Sequence, residues 1–178
     1  MTRILFGRNT APRSHLSTLW FAATVVAMLA SCGFHLRGEA TYTFETLFLN
    51  SNPSQPITID LRRAIEGSGG AKLVTDPAQA QVTLEVQPPE DTKQIQSLSS
   101  GGKVAEYLLT KRVLFRVHDK DGNEWLPTSE VIARRSYTYS DSEALAKETE
   151  EQRLWKDMQT DAVQQVVRRL QAAKKPAE

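Results

Sequence analysis

The sequence is poor in the residues that most enzymes and metal proteins use. Its 178 residues include one cysteine and three histidines, and the net charge is only +1. One cysteine excludes an intrachain disulfide framework and a zinc ribbon. The small net charge argues against a dedicated nucleic-acid-binding protein, so we expect no nucleic-acid partner. With 40% hydrophobic and 24% charged residues, the composition is typical of one globular domain rather than a disordered chain.

Recognisable catalytic and cofactor motifs are also missing. The histidines lie far apart in the sequence, and there is no HExxH pair, no GxSxG elbow and no paired cysteines. Gly67, Gly69 and Gly70 lack both the GxGxxG spacing and a Walker lysine, so they predict the end of a helix rather than a phosphate-binding loop. The sequence therefore predicts no catalytic residue, no metal site and no cofactor, although folding can bring a distant triad together.

Residues 1–31 have the features of an export signal. Arg3, Arg8 and Arg13 precede an uncharged stretch over residues 16–30, and this region has no acidic residue. Fifteen helical residues rise about 22 Å, less than a hydrocarbon core of about 30 Å. We predict a cleaved signal peptide over residues 1–31, and the alternative is an N-terminal anchor that stays attached. Without the three arginines, 19 basic residues face 21 acidic ones, a net charge of −2 over 147 residues.

The end of this segment is more specific than a general export signal. Leu29-Ala30-Ser31-Cys32 resembles a bacterial lipobox, an apolar residue and two small ones before a cysteine whose sulfur takes a diacylglyceryl group. We therefore predict lipidation at Cys32, and two or three acyl chains would anchor the protein stably. The alternative is a buried free cysteine. Gly33, in place of an aspartate, favours the outer membrane by resemblance to other lipoproteins.

The rest of the chain predicts an α+β domain over residues 32–173, followed by a polar tail over 174–178. Aromatic and apolar residues predict a first strand ending near Asn50, and a short helix follows it. Apolar alternation over residues 104–118, a turn at 119–123 and a return strand predict a β-hairpin. A wide apolar stripe predicts a long final helix ending near Ala172. We expect one mostly antiparallel sheet of about four strands with two helices on one face, and a mobile loop or strand end over residues 94–102.

Basic residues concentrate around the predicted hairpin. They suggest a cationic surface for phosphates, although charges offset by neighbouring acids are the favoured interpretation. The residues are Lys103, Lys111, Arg112, Arg116, Arg134 and Arg135, with Lys147 at the start of the final helix.

Three segments carry a resemblance to a known family. The sequence Cys-Gly-Phe-His-Leu-Arg-Gly over residues 32–38 resembles the start of mature LptE proteins, lipoproteins of lipopolysaccharide assembly. Ala105-Glu106-Tyr107 resembles the central strand of that family. Arg-Ser-Tyr at 135–137, Ala-Leu-Ala-Lys-Glu at 144–148 and Arg-Arg-Leu at 168–170 resemble its C-terminal half. The regions 50–56 and 88–100 show no clear match.

The resemblance implies a non-enzymatic role in the outer membrane. It implies a plug inside the β-barrel of LptD, a lipid anchor on the periplasmic side, and transport of lipopolysaccharide to the outer leaflet. It also implies contact with lipopolysaccharide itself, for which Lys147 and then Lys103 are the candidate residues. Two alternatives stay open: another periplasmic auxiliary lipoprotein for lipid transport or envelope assembly, and a lipid-anchored hydrolase.

Overall fold

The computed structural model describes residues 42–176, so Cys32 and the predicted signal peptide lie outside the described residues. This part of the chain forms six strands: β1 (Thr46–Asn50), β2 (Lys72–Val74), β3 (Val82–Val86), β4 (Glu90–Leu98), β5 (Val104–Asp119) and β6 (Glu124–Thr138). The helices are α1 (Pro56–Ser68) and α2 (Ala144–Ala172). Single 3₁₀ turns at Pro77–Gln79 and Asp141–Glu143 precede β3 and α2.

The six strands form one mixed sheet around the long strand β5. Strand β1 lies between β2 and β3 and runs parallel to both. Strands β3 and β4 pair antiparallel with successive halves of one edge of β5, and β6 pairs antiparallel with the other edge. The prediction of an α+β domain with two helices is therefore correct.

The prediction of about four mostly antiparallel strands is wrong in its details, because the sheet has six strands and is mixed. The chain leaves β1, passes through α1 and returns as β2, and a helical crossover of this kind joins parallel strands. Strand β2 has only three residues and lies at the edge of the sheet, where a short strand has little sequence signal.

For residues 94–102 the sequence predicts a mobile loop or a strand end, and the strand end is correct for residues 94–98. Residues 94–98 belong to β4, which pairs with β5 along most of its length. Eight of the nine residues of β4 are exposed, so the strand shows no alternation of apolar and polar residues for a pattern to detect.

Both helices pack on the same face of the sheet. Helix α1 begins with Pro56 and is capped at its C-terminus by Gly69, which has a positive φ of 67°. It buries Ile57, Leu61 and Ile65 at a spacing of four residues. Helix α2 buries a longer stripe that meets the same strands, namely Met158, Ala162, Val163, Val166, Val167 and Leu170. The opposite face of the sheet, called the outer face below, carries no helix among the described residues.

The domain has two ends along the direction of β5, and different loops and helix ends lie at each of them. At the end called the base, the β5–β6 turn lies near the start of β1, and Thr43 Oγ1 donates a hydrogen bond of 2.7 Å to the carbonyl oxygen of Ala173. At the other end, called the tip, the chain turns from β4 into β5 and α2 begins. Sixteen residues of β5 separate the two ends, about 50 Å at about 3.3 Å per residue.

Candidate functional site

The tip holds both lysines that the resemblance singles out. Lys103 lies in the β4–β5 connection, and its Nζ is 3.1 Å from Oδ2 of Asp141. Lys147 lies in the first turn of α2, where its Nζ donates to Oε2 of Glu150 at 2.9 Å and to Oγ1 of Thr138 at 3.2 Å. The fold thus brings to one end two cations that are more than forty residues apart in the sequence.

The two lysines differ in how accessible they are. The side chain of Lys103 is 76% exposed and its partner Asp141 is also exposed, and such surface ion pairs contribute about 0–1 kcal/mol. A phosphate or another anion can therefore replace Asp141 at little cost. The side chain of Lys147 is only 15% exposed, and its two hydrogen bonds fix the ammonium group in place. Lys103 is the adaptable cation of the tip, and Lys147 is the fixed one.

A third lysine next to the tip was not singled out by the sequence. Lys93 of β4 crosses under the edge of the sheet to α2, where its Nζ lies 2.6 Å from Oε2 of Glu151. The same oxygen accepts a hydrogen bond of 2.6 Å from the Tyr137 hydroxyl, and Oε1 accepts one of 3.2 Å from Trp155 Nε1. Glu151 therefore binds β4, β6 and its own helix together.

Aromatic rings surround this lysine. The Nζ of Lys93 lies 4.2 Å from the ring centroid of Tyr107, within the range of a cation–π interaction. The Tyr107 ring stacks on Tyr137 at 5.7 Å between centroids and meets Tyr139 edge-on at 5.3 Å. These contacts join the tip to the smaller of two buried apolar clusters, which also contains Leu109 and Met158.

The protonation states in this cluster follow from its geometry. Burial alone would lower the pKa of Lys93, but the hydrogen bonds with Glu151 and Tyr137 outweigh it and the pKa is raised. Burial likewise opposes ionisation of Glu151, but its hydrogen bonds with Lys93, Tyr137 and Trp155 lower the pKa. Burial and the nearby Glu151 raise the pKa of Tyr137. At neutral pH the cluster is an ion pair with a neutral tyrosine.

Lys111 does not belong to a cationic surface. Its side chain is 5% exposed, and its Nζ lies 2.7 Å from each carboxylate oxygen of Asp91. It also lies 5.6 Å from the ring centroid of Trp155. Lys111 shares the helix face of β5 with Leu109 and Val113, and the alternation of the strand gives this placement directly.

The arginines of the hairpin are divided between the two faces and mostly paired. On the outer face Arg112 pairs with Glu90 and Glu130, and Arg116 pairs with Glu85. Arg135 instead pairs with Asp161 of α2. Arg134 is the exception, since its side chain makes no ion pair with any residue from 42 to 176. The interpretation that neighbouring acids offset these charges is therefore correct, and the tip remains the better candidate for anion contact.

Neither a metal site nor a membrane-spanning helix is found in the part of the chain that the structure describes. Residues 42–176 contain no group of three or more His, Cys, Asp or Glu side chains arranged to hold a metal ion. Within the same residues, neither helix combines the length and the apolar character needed to cross a bilayer.

Comparison with known proteins gives a consistent result. The profile of the LptE family, described as Lipopolysaccharide-assembly, matches residues 44–170. The LPS-assembly lipoprotein LptE of Pectobacterium atrosepticum is 32% identical over 162 residues, which are 89% of this chain and 86% of that protein. Its counterpart from Photorhabdus laumondii is 30% identical over 161 residues, with the same coverage.

Solved structures share the fold. The solution structure of an uncharacterised lipoprotein B from Nitrosomonas europaea is 35% identical with a TM-score of 0.69, over 79% of this chain and 91% of that one. The crystal structure of the rare lipoprotein B from Shewanella oneidensis has a TM-score of 0.63 at 24% identity, over 72% of this chain and 95% of that one. The second likeness is one of fold alone.

Proposed function

The chain belongs to the LptE family of lipopolysaccharide-assembly lipoproteins, and from this premise we propose that it is a lipid-anchored plug of an LptD β-barrel. In this role it helps to assemble the barrel and takes part in moving lipopolysaccharide into the outer leaflet of the outer membrane. It does so without catalysis, as a binding and assembly subunit.

One observation carries this proposal: the family match spans the α+β domain almost from end to end, including the tip. Residues 44–170 contain every strand and nearly all of α2, so the fold and its candidate contacts lie inside the matched region. Lys103 and Lys147 therefore occupy a defined place in the family's domain rather than an appended segment.

The separation of the two ends supports a plug that stands across the membrane. The described chain begins at the base, and the ten residue-to-residue steps from Cys32 to Tyr42 span at most about 34 Å. A diacylated Cys32 would hold the base near the periplasmic leaflet. The tip lies about 50 Å from the base along β5, farther than the hydrocarbon core of about 30 Å is thick. Inside a barrel, Lys103 could thus reach the level of the outer leaflet.

The chemistry of the tip suits the lipid A phosphates. These groups are anionic and are bridged by divalent ions, with which a lysine ammonium group competes as a point charge. Lys103 is exposed and exchangeable, while Lys147 is held at the same end of the domain by two hydrogen bonds that fix its direction. We propose that Lys103 captures a phosphate first and that Lys147 orients it.

We expect charge reversal at the tip to weaken lipopolysaccharide binding. Lys103→Glu removes the accessible cation and adds a second carboxylate next to Asp141, and Lys147→Glu does the same next to Glu150. Each loss of a charge-assisted contact is worth about 1.5–3 kcal/mol, so binding should weaken about tenfold or more. Binding of purified lipopolysaccharide to the purified protein, followed by calorimetry at low and high salt, measures this.

A matched reversal at the base serves as the control. Lys120→Glu in the β5–β6 turn changes the net charge by the same amount at the far end of β5, and it should leave binding unchanged. Affinities that are equal for the wild type and both tip variants would show that lipopolysaccharide binds elsewhere.

A further inference from the structure

The outward edge of β4 exposes backbone groups that have no partner among residues 42–176. In β5, the carbonyl oxygen of Ala105 accepts a hydrogen bond on the side that faces β6. The carbonyl oxygen of Leu114 accepts one on the side that faces β3 and β4. The N–H and C=O groups of successive residues point to opposite sides of a strand, so the backbone groups of even-numbered residues of β5 point towards β4. Thr92 and Gln94 pair with even-numbered residues of β5, and their own backbone groups therefore point towards β5. The backbone groups of their neighbours point away from the sheet, and these are Asp91, Lys93 and Ile95.

Arginine side chains donate hydrogen bonds to the backbone of β6 at the opposite edge of the sheet, while the β4 edge receives none within residues 42–176. On β6, the carbonyl oxygen of Glu130 accepts 2.9 Å from Arg169 Nη1, and that of Arg134 accepts 2.9 Å from Arg135 Nη1. Along β4, no backbone hydrogen bond joins the strand to anything but β5 within residues 42–176. The fold thus protects one edge and leaves the other available.

The charged side chains of β4 are engaged within the domain and do not protect its edge. Charged side chains and proline discourage pairing at an edge. Glu90, Asp91 and Lys93 are charged, but each forms an ion pair with another residue of the domain. The last five residues of β4 carry no charge, and Ile95 is 57% exposed. The ammonium group of Lys93 is turned under the sheet to Glu151 and does not guard the edge. A shift of register after Ile95 confines the regular edge to residues 90–95.

Two ion pairs hold this edge in place. Asp91 binds Lys111, and Lys93 binds Glu151, so the strand is fixed to β5 and to α2 on the helix face. A strand that is already ordered loses little conformational entropy when it binds a partner.

We propose that the β4 edge receives an extended strand of another polypeptide, which pairs with the backbone of Asp91, Lys93 and Ile95 and extends the sheet by one strand. Addition of a strand to a sheet edge gives affinity through main-chain hydrogen bonds and specificity through alternate side chains. Here the partner strand would place an uncharged, apolar residue opposite Ile95. The inference rests on the proposed function, because the partner strand is assigned to the barrel protein.

A second copy of this chain is the poorer occupant. The antiparallel register that pairs all three outward residues with those of a second copy is centred on Lys93, and it places Ile95 of each copy directly opposite Asp91 of the other. An exposed apolar side chain gains no apolar contact from a carboxylate in the directly opposite position. A strand with an apolar residue opposite Ile95 makes that contact.

Amide hydrogen exchange tests the proposal directly. In the isolated protein, we expect the amides of Asp91, Lys93 and Ile95 to exchange quickly, while those of Thr92 and Gln94 are slow. In the purified complex with the barrel protein, exchange at the three outward amides should slow by at least tenfold. Outward amides that exchange equally fast in the complex would overturn the inference and leave the proposed function intact. If no barrel protein purifies with the chain, the proposed function itself fails.

Proline variants separate the two edges. Ile95→Pro removes an outward N–H without removing a bond to β5, and it should reduce recovery of the complex at least tenfold. Ile95→Thr keeps the N–H and should reduce recovery much less. Ser136→Pro removes an outward N–H from β6, the other edge, and should leave recovery unchanged. Recovery equal for Ile95→Pro and the wild type, or protection of these amides in a dimer of this chain alone, would contradict the proposal.

Discussion

A Cys32→Ala variant is expected to lose all acyl labelling. The thiol of Cys32 is the only one in the chain, so no other side chain can form the thioether to a diacylglyceryl group. The mature protein would then lack the two or more acyl chains that stable anchoring requires. Growth with radiolabelled palmitate, followed by gel analysis of the purified protein, measures the labelling.

The control keeps the thiol and changes its neighbour. Ser31→Ala preserves a small residue before Cys32, so labelling should stay at the wild-type level. Labelling, rather than sedimentation with membranes, is the decisive result, because a barrel partner would retain the unlipidated protein in the membrane fraction. Label that persists in Cys32→Ala would refute lipidation at this residue.

The largest loss of stability among polar substitutions is expected for Asp91→Ala. This change leaves the ammonium group of Lys111 buried with no carboxylate, and removing the partner of a buried charge costs about 3 kcal/mol. For a domain of this size, that corresponds to a fall of about 10 °C in the melting temperature. Chemical denaturation of the purified domain measures the free energy of unfolding.

Two further variants show whether burial is the cause. Lys111→Met keeps the packing of the side chain and removes the charge, so we expect a change within about 1 kcal/mol, as Asp91 is exposed enough to be solvated. Asp141→Ala breaks the exposed pair with Lys103 and should cost at most about 0.5 kcal/mol. A loss for Asp91→Ala no greater than that for Asp141→Ala would contradict this account.

The elements that pack against the core could be predicted from the sequence. The apolar stripe of α2 and the alternation of β5 both reflect burial on one side only, and the predicted end of α2 at Ala172 agrees with the structure. The extent of strand β4 could not be predicted beyond a possible strand end after residue 94, because a strand exposed on both faces has no periodic pattern. The strand–helix–strand order of β1, α1 and β2 is a sequence signal for their parallel pairing.

The candidate site could be predicted only in part. Lys103 and Lys147 came from family resemblance, and folding brings both to the tip because β5 begins where α2 begins. Strand alternation alone places Lys111 and Arg112 on opposite faces of β5, so the two cannot share one cationic surface. Nothing in the sequence indicates the contact of Lys93 with Glu151, since 58 residues separate them and only the fold joins them.

The central claim is that this chain works inside a barrel, and purification from the outer membrane tests it most directly. The tagged, lipidated protein should be extracted in mild detergent and purified together with one large β-barrel protein in equal amounts. We expect this barrel to be LptD and the complex to survive high salt, because a plug inside a barrel would bury an extensive surface. Purification of the lipidated protein alone, with LptD present in the same extract, would contradict the account.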